Sequence, residues 1–249
     1  MNQTSRPASA HKARRGQKKR SFRLILLLLL LSGVAVSLAF LIHYLKSARI
    51  YSAENFGLQV LVSSVDANKN GMDDYADITA GARAYVATEP VYDGSYHAGG
   101  YPPEGIGVCT DVVWQAFKAA GYDLKAMIDA DIAANTALYP RVAGKPDPNI
   151  DFRRVPNLKV FFERYGQSLT TDTGKIGEWQ PGDIVIYEEN YTHVAIVSDK
   201  RNGYGVPWII HHGGEGYEYE ENRLKLKHIS GHYRFDAAKV PDEVLVLWP

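Results

Sequence analysis

The chain has 249 residues with 28 basic and 28 acidic side chains, a formal net charge of zero that hides a division. Residues 1–23 carry eight basic side chains and no acid, whereas from Ile50 onward eighteen basic residues face all 28 acids, a net of −10. A domain that acidic is excluded as a nucleic-acid binder, because phosphate neutralisation by Lys and Arg supplies most non-specific affinity.

In chain order, residues 1–23 read as a basic, polar tail, disordered over its first twenty residues. Leu24 to Ile42 follows as 19 residues without a charge. A bilayer core about 30 Å thick takes roughly 20 apolar helical residues, so the segment predicts one membrane span over 24–44. The basic flank places the N-terminus in the cytoplasm and the remainder outside. The alternative is a cleaved signal peptide with Ser37-Leu38-Ala39 at its end, but the apolar run exceeds the roughly 7–15 residues of a signal segment. Residues 45–57 read as a stalk, and 58–249 as one extracytoplasmic α+β domain.

Asp66 to Asp77 follows the register of an EF-hand loop. Asp66, Asn68 and Asn70 stand at positions 1, 3 and 5, Gly71 at 6, Met72 at 7 (ligating through its carbonyl), Asp74 at 9 and Asp77 at 12. Alternating oxygen donors around a glycine suit a hard cation, so this segment is a candidate structural calcium site. An Asx-rich turn that binds nothing has the same composition.

A glycine-rich loop (Gly99-Gly100, Gly105, Gly107) leads to Cys109, and Thr110 to Ala120 predicts a helix with Val112, Val113, Ala116 and Phe117 on one stripe and Gly121 after its end. Leu124 to Leu138 and Asn157 to Tyr165 predict two more helices. Asp183 to Tyr187, Thr192 to Ser198 and Trp208 to His211 predict strands separated by turns at Glu189-Asn190 and Arg201-Asn202-Gly203. Helices first, then a small antiparallel sheet, is an α+β pattern.

Cys109 is the single cysteine. Exported domains hold cysteines mostly in disulfide pairs, so a lone thiol there is either a buried apolar filler or a nucleophile. A helix N-terminus favours thiolate and offers amides to an oxyanion, which predicts a depressed thiol pKa. The base would be a histidine. His193 shares a strand face with Ala195 and Val197, and His211, ending the next strand, would lie beside it to orient the ring; His212 points the other way, and His232 is the competitor for the third position. Tyr92, Tyr96, His97 and Tyr101 approach the cysteine and would line a groove, Tyr101 contacting substrate. Arg153-Arg154 would clamp a substrate carboxylate or pair with Asp147 or Asp151.

The order of these segments resembles the NlpC-type cysteine peptidases and amidases, papain-like enzymes of bacterial cell walls. Gly107-Val108-Cys109-Thr110-Asp111-Val112-Val113 stands where they carry the nucleophile helix, Trp179-Gln180-Pro181-Gly182-Asp183-Ile184-Val185 where they turn into the first catalytic strand, and Thr192-His193-Val194-Ala195-Ile196-Val197 and Ile209-Ile210-His211 where they place the base and third polar residue. Val108 and Thr110 depart from their usual Asp-Cys-Ser. More narrowly, Gly99-Gly100-Tyr101-Pro102-Pro103, the stretch Asp147 to Leu158 and Gly231-His232-Tyr233-Arg234 resemble a domain-of-unknown-function family of envelope proteins. The resemblance implies catalytic Cys109, His193 and His211, a cell-wall peptide or related envelope amide as substrate, and no cofactor for catalysis. The alternatives are an acyltransferase using the same thiol and a non-catalytic envelope-binding module.

Overall fold

The computed structural model describes residues 9–189, 192–225 and 227–249, with N-terminal side chains described at Phe22 and from Leu24 on. The chain divides into two units, Met1–Ala48 and Arg49–Pro249. The described residues of the first form a single helix, α1 (Ser9–Ala48), in which Leu24–Ala48 is an apolar stretch of 25 residues with no buried side chain. At 1.5 Å per residue that stretch reaches about 37 Å, long enough to cross a bilayer core. The basic segment expected to be disordered is helical from Ser9 onward, and the part of that expectation falling on residues 1–8 lies outside the described residues.

After a 3₁₀ turn over Ala53–Phe56, the second unit runs through α2 (Asp74–Val86), the parallel pair β1 (Val91–Tyr92) and β2 (Ile106–Gly107), then α3 (Cys109–Ala119), α4 (Leu124–Asn135) and α5 (Val155–Tyr165). β3 (Gln167–Ser168), β4 (Ile184–Tyr187), β5 (His193–Arg201), β6 (Pro207–Ile210), β7 (Glu220–Glu221) and β8 (Ile229–Arg234) complete it. The six strands β3 to β8 form one antiparallel sheet in the order β3-β8-β4-β5-β6-β7. The α+β class and the small antiparallel sheet agree with the sequence reading. The predicted turn residue Asn190 lies outside the described residues.

Two further expectations change. Residues 49–57 are no free stalk: Tyr51 exchanges backbone hydrogen bonds of 2.8 Å each way with Arg201, and Ala53 is buried. The reason is local, since a 3₁₀ turn over Ala53–Phe56 closed by left-handed Gly57 folds the segment back. The long helix predicted from Leu124 to Leu138 runs α-helically only to Asn135 and tightens into a 3₁₀ turn over Thr136–Leu138.

The central strands are buried on both faces, which is why they read as near-continuous apolar runs. Ile184, Ile186, Val194, Ile196 and Ile210 meet the helices in a core with Val112, Val113 and Phe117; Val185, Ala195, Val197 and Ile209 turn to a second core around Trp179. Each fully buried apolar side chain of this kind contributes roughly 1.5–3 kcal/mol. The helix-side core fixes α3 against β5, and that packing positions the site. Left-handed Gly121 (φ 91°) ends α3 as predicted.

Candidate active site

Cys109 is the first residue of α3, after extended Val108. The helix starts there because Asp111 reaches back: its Oδ2 accepts the Val108 N–H at 2.7 Å, a cap from the third helical position. The same carboxylate accepts Trp114 Nε1 at 2.8 Å and takes Arg153 in a two-pronged pair, Nε to Oδ1 and Nη2 to Oδ2, both 2.9 Å. Arg153 also donates to the Ser95 carbonyl at 3.0 Å, tying the preceding loop to the helix. Both members of the pair are buried, which is tolerable only because their hydrogen bonds are so fully made. Gly107 serves close approach rather than a tight turn, since a Cβ there would lie 2.0 Å from Tyr85 Oη.

The sulfur sits in the helix-side core, 6 % exposed. The backbone N–H of Val194 points at it. Burial pushes the thiol up to about 11; the amides of Val194, Thr110 and Cys109 pull the other way, and the Asp111 charge adds to the rise. This corrects the expectation of a depressed thiol: desolvation of the charged form outweighs the amides and the helix N-terminus.

His193 opens β5 directly opposite Tyr187, on the face of Ala195 and Val197 as expected, and is 4 % exposed. It is the next residue, Val194, whose backbone amide reaches the sulfur. His193 Nε2 lies 2.7 Å from His211 Nδ1 with the rings at 88°. His211 Nε2 in turn lies 2.9 Å from Glu221 Oε1, and Arg223 Nε holds Oε2 at 2.6 Å. Burial first, then the neighbouring His211 and His212, pushes His193 down to about 3. Thiol and imidazole are therefore both neutral at pH 7.

The other histidines go elsewhere. His212 packs edge-on to Tyr92 and Tyr219. His232 stacks on Trp179 at 3.7 Å between ring centroids and bonds Asp183 at 2.9 Å, while Arg234 takes the rest of that carboxylate. That buried knot anchors the turn before β4, and the imidazole that meets His193 is that of His211.

Cys109, Thr110, Tyr92, Thr192, Arg141 and Arg154 line a cavity of about 370 Å³. Thr110 Oγ1 is buried there with no hydrogen-bond partner among the described residues. Arg154 bonds Asp151 at 2.8 Å, one of the two partners foreseen, and Arg141 is exposed at the rim. Two expected substrate contacts are corrected. Arg153 touches the cavity wall, but its guanidinium is committed to Asp111 and Ser95. Tyr101 packs into the core against Trp114, Phe152 and Trp248 and bonds Asp123 at 3.3 Å. Apolar neighbours three-dimensionally close to Tyr101 draw it inward, which the loop's composition does not reveal.

Two residues escaped the sequence reading. Asp111 was legible, since an acid at the third position of a helix is a capping signal. Glu221 carried no signal, because only the pairing of β6 with β7 brings it to His211.

The segment Asp66–Asp77 closes on itself. Asp66 accepts the amides of Asn70 and Gly71, Asn68 and Asn70 side-chain oxygens accept the amides of Asn70 and Met72, and both their Nδ2 groups donate to Asp77. Asp74 is turned away, accepting Ala67 N–H at 3.0 Å and Tyr122 Oη at 2.6 Å. Among the described residues no group of three or more His, Cys, Asp or Glu is placed to hold a metal. Asn68 and Asn70 thus turn their amide nitrogens toward Asp77 and their oxygens toward backbone N–H groups.

Comparison with known proteins places these residues in a family. The chain is 35 % identical over 205 residues to the uncharacterized protein YijF of Escherichia coli (strain K12), covering 79 % of this chain and 93 % of that protein. No solved structure matches. Residues 79–235, which include Cys109, His193, His211 and Glu221, match the model of the domain of unknown function DUF1287, and the chain belongs to that family.

Proposed function

We propose that this protein is a membrane-anchored cysteine hydrolase of papain-like architecture that cleaves an amide bond in peptidoglycan stem peptides or a related envelope substrate. The observation that carries the reading is one continuous arrangement. A thiol at a helix N-terminus meets the Val194 amide, the imidazole of the preceding residue, His193, is bonded to that of His211, and Cys109 lines a cavity rimmed by arginine. With α1 as anchor and its basic end inside, this unit faces the envelope.

In this reading Cys109 Sγ attacks the amide carbonyl while its proton passes to His193, acting as general base on a neutral thiol rather than as half of a standing ion pair. The oxyanion forms beside the amides that open α3. The C–N bond then breaks, the leaving amine takes the proton from His193, and water, deprotonated by the same ring, releases the acyl group and restores the thiol. His211 orients His193. Exposed Arg141, and Arg154 beside its partner Asp151, favour a substrate carboxylate, since among the described residues lining the cavity none is acidic.

The test uses the full chain in detergent micelles with purified sacculi and a soluble muropeptide. Wild-type protein releases new amino termini and Cys109→Ser releases none; equal release by the two overturns the proposal. A non-catalytic binding module on the same fold is the second reading, favoured by the raised thiol pKa, and it requires Cys109→Ser to leave sacculus binding intact without any turnover by wild type.

We also read Asp66–Asp77 as a structural calcium loop. Bound there, the ion would supply charge that gathers Asp66, Asn68, Asn70, the Met72 carbonyl and Asp77, stapling the start of α2 to the segment before it.

A further inference from the structure

We infer that Glu221 is a positioning residue of this site: through His211 it fixes the tautomer of His193 and leaves His193 Nδ1 as the atom that receives a proton. Its consequence for turnover rests on the hydrolase reading, whereas the tautomer itself does not.

The argument runs along three side chains. Glu221 is 8 % exposed, and each of its oxygens already faces a donor, Arg223 Nε at 2.6 Å and His211 Nε2 at 2.9 Å. A carboxylate only accepts, so the hydrogen of that second bond belongs to His211 Nε2. An imidazole that carries one N–H has only that one to give, and we take His211 in this form, with its lone pair on Nδ1. The nitrogen 2.7 Å away, His193 Nε2, must then be the donor. Its own single N–H being spent there, His193 carries its lone pair on Nδ1.

The neighbouring acid cannot take this role. Glu220 points to the other face of β7, where Ser198, Lys200 and Arg83 hold it. Nor does His212 compete, since its ring packs between Tyr92 and Tyr219. The arrangement thus has one acceptor-only group at its far end, and that end dictates every proton along it. Without it the pair of imidazoles could run its hydrogen bond in either direction, because each ring can donate or accept.

Glu221→Gln separates charge and directionality from shape. A glutamine amide can accept from His211 Nε2–H or donate to a bare Nε2. The second arrangement reverses the chain and puts the His193 proton on Nδ1, the wrong atom for a base. The experiment is ¹⁵N NMR of the full chain in detergent micelles at pH 7, with histidine ring nitrogens labelled. In the wild type, His193 shows a protonated Nε2 and an unprotonated Nδ1. In Glu221→Gln a second form with protonated Nδ1 appears. A wild-type His193 protonated on Nδ1, or a Glu221→Gln spectrum without the second form, overturns the inference. The wild-type measurement stands even where the variant folds poorly.

The muropeptide assay supplies the other arm. Glu221→Gln lowers kcat about tenfold or more while KM stays within about twofold, as expected of a group that acts through the base and not on the substrate. Wild-type turnover that Glu221→Gln leaves unchanged overturns the positioning role. Absent wild-type turnover with the expected wild-type and Glu221→Gln spectra defeats the hydrolase reading and leaves the tautomer assignment in place.

Discussion

Alkylating Cys109 across a pH series measures how far burial controls this thiol. Its pKa is pushed from an ordinary 9.0 up to about 11, mainly by desolvation. At pH 7 the thiolate fraction then falls from roughly one in a hundred to roughly one in ten thousand, a hundredfold loss equivalent to about 2.7 kcal/mol. Iodoacetamide labelling of the full chain, followed by mass spectrometry, should therefore run about a hundredfold slower at pH 7 than on a free cysteine peptide. The logarithm of the rate should climb through pH 9 and 10 without a plateau. His193→Ala should leave the midpoint where it is, because a neutral imidazole contributes no charge to hold a thiolate. A plateau reached below pH 8 would refute the reasoning. It would mean that the helix N-terminus and the Val194 amide outweigh desolvation and that the resting site is an ion pair.

Stability should depend on pH through His193. Its folded pKa, pushed down from 6.5 to about 3, means that between those values the unfolded chain binds a proton the folded chain does not. Stability is then lost as pH falls through that window, at up to about 1.4 kcal/mol per unit. Urea unfolding at pH 7 and pH 5 should show the loss and His193→Gln should reduce it; equal stability at the two values counts against the buried neutral ring. Arg153→Met strands Asp111 and should cost about 3–5 kcal/mol, or roughly 6–20 °C in Tm for a unit of this size. The double change Asp111→Leu with Arg153→Met should recover most of it, and a single-variant shift under about 2 °C contradicts the pairing. Millimolar calcium should raise Tm, with Asp77→Ala abolishing the rise, and a calcium-independent Tm rules the loop out as a calcium site.

The sequence by itself determined the large divisions and much of the local structure. Leu24 to Ile42 announces a helix able to span a bilayer because membrane thickness makes charge-free length decisive. Thr110 to Ala120 announces α3 because its apolar spacing matches one helical face, and Gly121 ends it because glycine accepts a left-handed conformation. The runs around Ile184, His193 and Trp208 announce strands because β-branched residues flank turn signals there. The place of His193 beside His211 was legible from strand alternation alone.

Only the tertiary structure decided what those groups experience. Helix position favoured an ionised Cys109, but burial in the helix-side core removed its water and reversed the sign. Arg153 and Arg154 are adjacent and identical in type, yet Arg153 is drawn under α3 by Asp111 while Arg154 stays at the rim. Tyr101 belongs to a loop by composition and to the core by contact with Trp114 and Trp248. Glu221 joins His211 only because β7 pairs with β6. In each case the deciding quantity is solvent exclusion or a partner distant along the chain, and both arise from the way the strands and helices close upon one another.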